Sequence, residues 1–216
     1  MALVVTECRK TRQFTNNWFE QNALPVWKDL IPRLRPARIL EIGSYEGASA
    51  CFLIDSLSCE LQLEIFCLDT WSGGIEHASA GIDMAAVESR FHVNLQLASD
   101  RALCRPTLRV RKGLSAIELS KLIAEGLSGY FDFVYIDGSH QAPDVLVDAV
   151  LSFQLLRVGG VLAFDDYLWS ERLPGGVDLL RCPKPAIDAF SNLFMRKVKI
   201  MNIPYAYQQY LIKISE

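Results

Sequence analysis

Residues 37–57 read ARILEIGSYEGASACFLIDSL. Positions 37–43 form a nearly unbroken apolar run closed by Gly43, the pattern of a short strand buried on both faces. From Glu46 to Leu57 the sequence reads as a helix. A strand that ends in a glycine turn and opens directly into a helix is the start of a strand–helix–strand unit, and such units build parallel sheets.

The same alternation continues outward. LQLEIFCLD (61–69), PTLRVRKG (106–113), FDFVYIDGSH (131–140) and GGVLAFDDY (159–167) read as strands. Helices are expected at 84–102, at SAIELSKLIAEG (115–126), at PDVLVDAVLSFQLL (143–156) and at PKPAIDAFSNLF (183–194). TWSGGIEHASAGID (70–83), rich in glycine and small residues, reads as a loop too long to be only a connector. Residues 12–34 read as a helical region carrying Trp18, Phe19, Leu24, Trp27, Leu30 and Ile31, broken by Pro32 and Pro36. The last thirty residues depart from the alternation. MRKVKIMNI (195–203) and YAYQQYLIKI (205–214) are two strands with only Pro204 and its neighbours between them, so they must pair antiparallel. The predicted fold class is α/β: a Rossmann-like, mostly parallel sheet with helices on both faces and a C-terminal antiparallel hairpin. One domain is expected over 1–216, with an N-terminal helical region (1–35) and a core (36–216).

Half of the 216 residues are hydrophobic and 22% are charged, an ordinary globular composition that excludes a disordered or fibrous chain. Lys plus Arg total 22 against 25 for Asp plus Glu, a net charge of −3, and no basic run is present. That balance argues against nucleic acid as a partner. No apolar run approaches the ~18 residues of a membrane span. The N-terminal MALVVTECRKTRQF has its basic residues after a brief apolar stretch, the wrong order for a signal peptide. Cys8, Cys51, Cys59, Cys67, Cys104 and Cys182 are scattered without a C-x-x-C pair and read as reduced thiols of a cytoplasmic protein. Trp18, Phe19 and Trp27 leave two placements for the first helix: against a second copy in a homo-oligomer, or against the chain's own sheet.

The first strand's loop runs Glu41-Ile42-Gly43-Ser44-Tyr45-Glu46-Gly47, an E-x-G-x-x-x-G rather than the G-x-G-x-x-G of a dinucleotide enzyme. Its glycines let a ligand approach amides at a helix N-terminus. Glu41 and Glu46 would repel a pyrophosphate, but they suit an ammonium and a sulfonium, as in S-adenosylmethionine (SAM). Against this stands a plain strand–helix turn in which Gly43 supplies only a permissive backbone. Asp69, 26 residues after Gly43, ends the second strand where an acid accepts from ribose hydroxyls, or else caps the following turn. The cofactor-binding set expected from these loops is Glu41, Gly43, Ser44, Tyr45 and Gly47, then Asp69, Thr70 and Trp71, then Gly113 and Ser115 near the adenine edge, and Asp137. Trp71, Gly73, Gly74 and His77 read as a lid, with Trp71 alternatively packed beneath the sheet edge.

The fourth strand finishes Asp137-Gly138-Ser139-His140 and the fifth Asp165-Asp166-Tyr167. If these strands are neighbours, three carboxylates meet at the carboxyl edge of the sheet. They would raise one another's pKa unless a cation sits among them, and an all-oxygen set suits a hard divalent ion such as Mg²⁺. Consecutive strand residues point to opposite faces, so Asp165 and Asp166 ligate together only if the strand ends between them. His140, three residues after Asp137, is placed to accept a hydroxyl proton near neutral pH. The PGG turn at 174–176, Tyr167 and Trp169 are candidates for the wall of an acceptor pocket.

ILEIGSYEGASA, IFCLDTWSGG, FVYIDGSHQAPDVLVDAVLSFQLLRVGGVLAFDDYLW and PKPAIDAF resemble the small class I SAM-dependent methyltransferases related to the macrolide sugar (mycinamicin and macrocin type) O-methyltransferases, over about residues 35–215. IDGSH followed by FDDY is the most specific part. The resemblance implies a seven-stranded sheet and methyl transfer from SAM to a hydroxyl of a small molecule. It further implies Mg²⁺ held by Asp137, Asp165 and Asp166, with His140 as the base. The first of the paired acids can be glutamate in that group and is Asp165 here, and the long N-terminal extension of some sugar enzymes is lacking.

Overall fold

The computed structural model describes residues 11–171, 173–204 and 207–216. Cys8 and most of the N-terminal MALVVTECRKTRQF lie outside the described residues, as do Tyr205 and Ala206 of the last predicted strand. Seven strands form one sheet: β1 (Arg38–Ile42), β2 (Glu64–Asp69), β3 (Thr107–Lys112), β4 (Phe131–Ile136), β5 (Leu156–Phe164), β6 (Val198–Ile200) and β7 (Gln209–Lys213). Their order is β3-β2-β1-β4-β5-β7-β6. The first five strands in that order are parallel, and β7 runs antiparallel to both β5 and β6, as the hairpin argument requires.

The central strands are apolar because both faces are covered. On one face lie α2 (Leu24–Leu34), α3 (Ala48–Leu57) and α5 (Met84–Arg101), around Trp27, Ile39, Leu53, Phe91 and Phe133. On the other lie α6 (Ser115–Ala124), α7 (Ala142–Leu155) and α8 (Lys184–Leu193), around Leu40, Leu122, Val134, Phe153 and Phe190. The edge strand β3 instead alternates apolar with charged residues, and Arg109, Arg111 and Lys112 guard its open side against pairing with another chain.

Two elements differ from the sequence reading. α2 continues through Pro32 and stops at Leu34, where Arg35 takes a left-handed conformation (φ 49°) and caps it by donating to the Ile31 carbonyl. Proline is tolerated in the last turn because the one carbonyl deprived of a partner belongs to Lys28, an exposed residue. The 70–83 segment is not all loop, since α4 (Ile75–Ser79) lies within it; the short α1 (Trp18–Asn22) precedes α2.

Of the two placements open to the N-terminal aromatics, Trp27 takes the chain's own sheet. It is fully buried, edge-on to Phe133 and Tyr135 at 5.4 and 4.7 Å, and its indole N–H donates to the Tyr210 hydroxyl at 3.0 Å. Cys51, Cys59, Cys67, Cys104 and Cys182 are free thiols. Burial pushes the Cys51 thiol up to about 12 and Cys67 well above the ordinary range, which leaves both inert. Among the described residues, no helix is long and apolar enough to cross a membrane.

Candidate active site

The strand order reverses between β1 and β4, and the crevice beyond the carboxyl ends at such a switch point is where open α/β sheets bind ligands. Gly43 stands at its centre. Its φ is +86°, and a Cβ there would lie 1.9 Å from the Asp137 carbonyl oxygen. The backbones after β1 and β4 are thus in direct contact, clamped by Asp137 N–H to the Ile42 carbonyl, while Gly43 N–H ties the same turn to β2 at the Leu68 carbonyl, both 2.8 Å. Gly47 (φ +78°) opens α3, and a Cβ there would run into Leu95 at 2.5 Å.

The acids of this loop do not face the crevice as their sequence positions suggest. Glu41 is fully buried, accepts from the Ser49 hydroxyl of α3, and is pushed up to about 7 by burial. Ser44 is also buried, its hydroxyl turned toward Glu41. Glu46 is buried against Arg90 and accepts from the Thr15 amide at 2.7 Å and the Thr15 hydroxyl at 2.8 Å. An inward strand residue and a loop closed over by the N-terminal segment explain both positions. The two carboxylates therefore stabilise the loop from within, and the buried side chains of Glu41 and Ser44 do not face the crevice. Because Glu41 holds its proton more tightly folded than unfolded, unfolding releases that proton between pH 4.5 and about 7, and stability falls as pH rises through this window. Glu41→Gln should therefore be more stable than the parent at pH 8, by at most roughly 3 kcal/mol, with the advantage gone near pH 4. Thermal unfolding of both proteins across pH 4–8 measures it, and an equal gap at both ends would contradict it.

Asp69 sits at the tip of β2 with both oxygens on backbone amides. Oδ2 accepts from Tyr45 N at 2.8 Å and Oδ1 from Trp71 N at 2.7 Å. It caps the turn after β2 and at the same time ties β2 to the glycine loop, with lone pairs left on each oxygen. The Thr70 hydroxyl caps the same turn by accepting from Ser72 N at 3.1 Å. Trp71 is 5% exposed, rests on Phe91 at 4.7 Å, and donates its indole N–H to the Tyr45 carbonyl at 3.0 Å. Of its two readings, packing beneath the sheet edge is the one observed. Tyr45 in turn stacks on His77 of α4 at 5.4 Å and meets Trp18 of α1 at 5.3 Å. Gly113 and Ser115 flank the start of α6, with Glu118 folded over Gly113. Tyr45, Trp71 and Asp166 all carry positive φ (48°, 47° and 56°), so three of the four such non-glycine residues among the described residues cluster at this edge.

β5 ends at Phe164, before both acids, and the left-handed Asp166 turns back toward β4. The strand thus ends before both acids rather than between them, as the sequence reading required, and the alternation of faces along β5 does not govern where they point. Asp166 Oδ2 lies 2.8 Å from His140 Nε2, and Trp169 stacks on the imidazole at 4.0 Å. Asp165 accepts from the hydroxyl of the fully buried Tyr135 and from the Asp166 amide at 2.8 Å. Burial and the neighbouring carboxylates push Asp165 up to about 6 and Asp137 well above the carboxylate range. Asp137, His140, Asp165 and Asp166 line one crevice of about 10 Å³, room for a single water-sized occupant. Yet among the described residues no three His, Cys, Asp or Glu side chains are grouped as a ready ligand set. At present Tyr135 and the Asp166 amide take the oxygens of Asp165, and His140 takes one of Asp166.

Sequence reasoning missed the contribution of the C-terminal hairpin. Phe164 pairs with Gln209, so Tyr207 and Gln208 arrive beside Asp165 and Asp166. The Tyr207 phenol is raised by burial and by Asp166, Asp165 and Asp137, which it faces. The predicted antiparallel pairing is the available signal, since it returns the residues before β7 to the carboxyl edge. The PGG turn lines neither this crevice nor the larger cavity beside it.

Comparison with known proteins agrees with this geometry. The family described as "Methyltransferase domain" matches residues 40–167, more than half of the chain. A probable caffeoyl-CoA O-methyltransferase 3 of Dictyostelium discoideum is 45% identical over 103 residues, covering 44% of this chain and 38% of that protein. The chain spans between 15% and 64% of the length of the curated relatives it matches. The O-methyltransferase from Bacillus cereus in complex with SAH shares the fold with a TM-score of 0.60 at 19% identity, covering 95% of this chain and 84% of that one. MycE, the methyltransferase of the mycinamycin biosynthetic pathway in complex with Mg and SAH, has a TM-score of 0.52 at 23% identity over 94% of this chain and 51% of its own.

Proposed function

The chain belongs to the methyltransferase domain family, and from that premise we propose that it transfers a methyl group from SAM to a hydroxyl of a small molecule. The observation that carries this reading is His140 and three carboxylates around a one-water crevice that abuts the Gly43 loop through the Asp137 backbone. We take the chain as one unit over 1–216 because Trp27 docks the N-terminal region on the sheet. The free thiols support the cytoplasm as its compartment.

SAM, when bound, supplies the electrophilic methyl carbon. The amides and glycines of residues 43–47 and the lone pairs of Asp69 would hold it, with Tyr45, His77, Gly113, Ser115 and Asp137 as the further residues of the binding set. In the acceptor half, His140 takes the hydroxyl proton at Nε2. The stacked Trp169 ring sets the orientation of the imidazole, and the acceptor hydroxyl replaces Asp166 at that nitrogen. Tyr135 and Tyr207 donate to the acids and hold them in place.

A divalent cation such as Mg²⁺ fits the donor chemistry: three hard carboxylates in a crevice of one-ion size, with Asp137 pushed well above the carboxylate range by burial and by Asp165 and Asp166. Asp137, Asp165 and Asp166 would hold it once they turn from their present partners, and it would lower the pKa of the acceptor hydroxyl. Transfer without a metal is the second reading, favoured by the existing His140–Asp166 pair. Calorimetric titration of Mg²⁺ into the SAH-bound protein decides between them. The first reading expects saturable binding that is lost in Asp165→Asn, and absence of binding selects the second.

A further inference from the structure

Beside the acid crevice, on the hairpin side, lies a cavity of about 260 Å³. Ile200, Met201, Ile203 and the rings of Tyr167 and Tyr210 give it an apolar wall; its polar lining is Asn202, Gln208 and Gln209, and among the described residues no charged side chain lines it. Two of its lining residues adjoin the acids, since Gln208 lies beside Asp165 and Tyr167 follows Asp166 in the chain.

The orientation of Gln208 is fixed by a hydrogen-bond chain that begins at the other end of the sequence. The indole of Trp27 can only donate, and it donates to the Tyr210 hydroxyl. Tyr210 must then pass its own proton onward, and it does so to Gln208 Oε1. Gln208 Nε2 is thereby turned the other way. The residue is 5% exposed, and this nitrogen has no hydrogen-bond partner, though it lies near enough to Asp165 to favour the charged carboxylate. A buried amide donor without an acceptor costs about 1–3 kcal/mol, so a ligand that satisfies it recovers that cost.

We propose that this cavity seats the methyl acceptor, with Gln208 Nε2 donating to an oxygen of an uncharged, flat organic molecule. The inference rests on the methyltransferase reading and deepens it. The absence of charged lining selects neutral molecules over phosphates and carboxylates, the apolar wall selects a ring, and the modest volume limits it to about one ring system. Gln208 is then a specificity-determining residue, bridging the acceptor and Asp165.

Acetophenone (neutral, flat, one acceptor oxygen), ethylbenzene (no oxygen) and benzoate (charged) serve as probes, read by ligand-detected NMR on the SAH-saturated protein. Acetophenone should bind better than either of the others. Gln208→Leu should weaken acetophenone about tenfold and leave ethylbenzene unchanged. Met201→Trp fills the cavity without touching the polar chain and should abolish both, while SAH affinity stays the same in the two variants. Acetophenone binding indifferent to both substitutions, or benzoate preferred, would overturn the proposal. If the parent protein fails to bind SAH, the methyltransferase reading falls, and the same probes on the unliganded protein still judge the cavity.

Discussion

His140→Ala should lower methyl transfer by about 10²–10⁴ while leaving SAH affinity within a factor of two of the parent. The imidazole contacts the acid crevice and not the glycine loop, so its loss removes a proton acceptor without disturbing the cradle. Its ring is stacked on Trp169 at 4.0 Å, and truncation leaves a space that small molecules can enter. Added imidazole should therefore restore part of the rate, which a purely structural role would not allow. Single-turnover assays with labelled SAM measure both quantities. Near-normal turnover in the alanine variant would remove His140 from the mechanism and move the proton transfer to Asp166 or solvent.

Gly43→Val carries the largest expected effect on the fold of the site. Two costs combine: an L side chain at φ +86° costs about 1–2 kcal/mol, and forcing a β-branched group against the Asp137 carbonyl adds about 1–3 kcal/mol. The neighbour is backbone, clamped by the Asp137 N–H to Ile42 bond, so it cannot move aside as a flexible side chain would. The β1 and β4 loops must separate, which opens the cradle and displaces Asp137. Denaturant unfolding should show a loss of roughly 2–5 kcal/mol, and SAH binding should disappear even where the variant stays folded. A variant with parent-like stability would show that the two loops are free to part.

Gly43 and Asp137 also mark how much of this site is legible in the sequence. Both stand at strand ends, where an apolar run stops at a glycine or an acid, and both signals are local. The five parallel strands, the hairpin and the positions of Asp69, His140, Asp165 and Asp166 follow from such signals. Side-chain direction at the site does not. Glu41 and Glu46 bracket the turn, and that spacing predicts that they meet a cationic ligand. Instead Ser49 holds one, and Arg90 and Thr15 hold the other, partners 8, 44 and 31 positions away. Trp71 turns inward for the same reason, since Phe91 offers its ring more buried surface than the lid would. Tyr207 and Gln208 are out of reach of local reasoning because they enter the site only through the register of β7 on β5. The loose fit of the three acids likewise depends on Tyr135 and His140 competing for their oxygens, and neither partner's reach is written in spacing.

Calorimetric titration of the purified chain with S-adenosylhomocysteine, in parallel with Asp69→Ala, tests the central assignment most directly. The cradle formed by the Gly43 loop and Asp69 predicts saturable one-to-one binding by the parent chain and a loss of at least tenfold in the variant, consistent with losing a charged hydrogen-bond acceptor. No binding by the parent, or equal binding by both proteins, would contradict it.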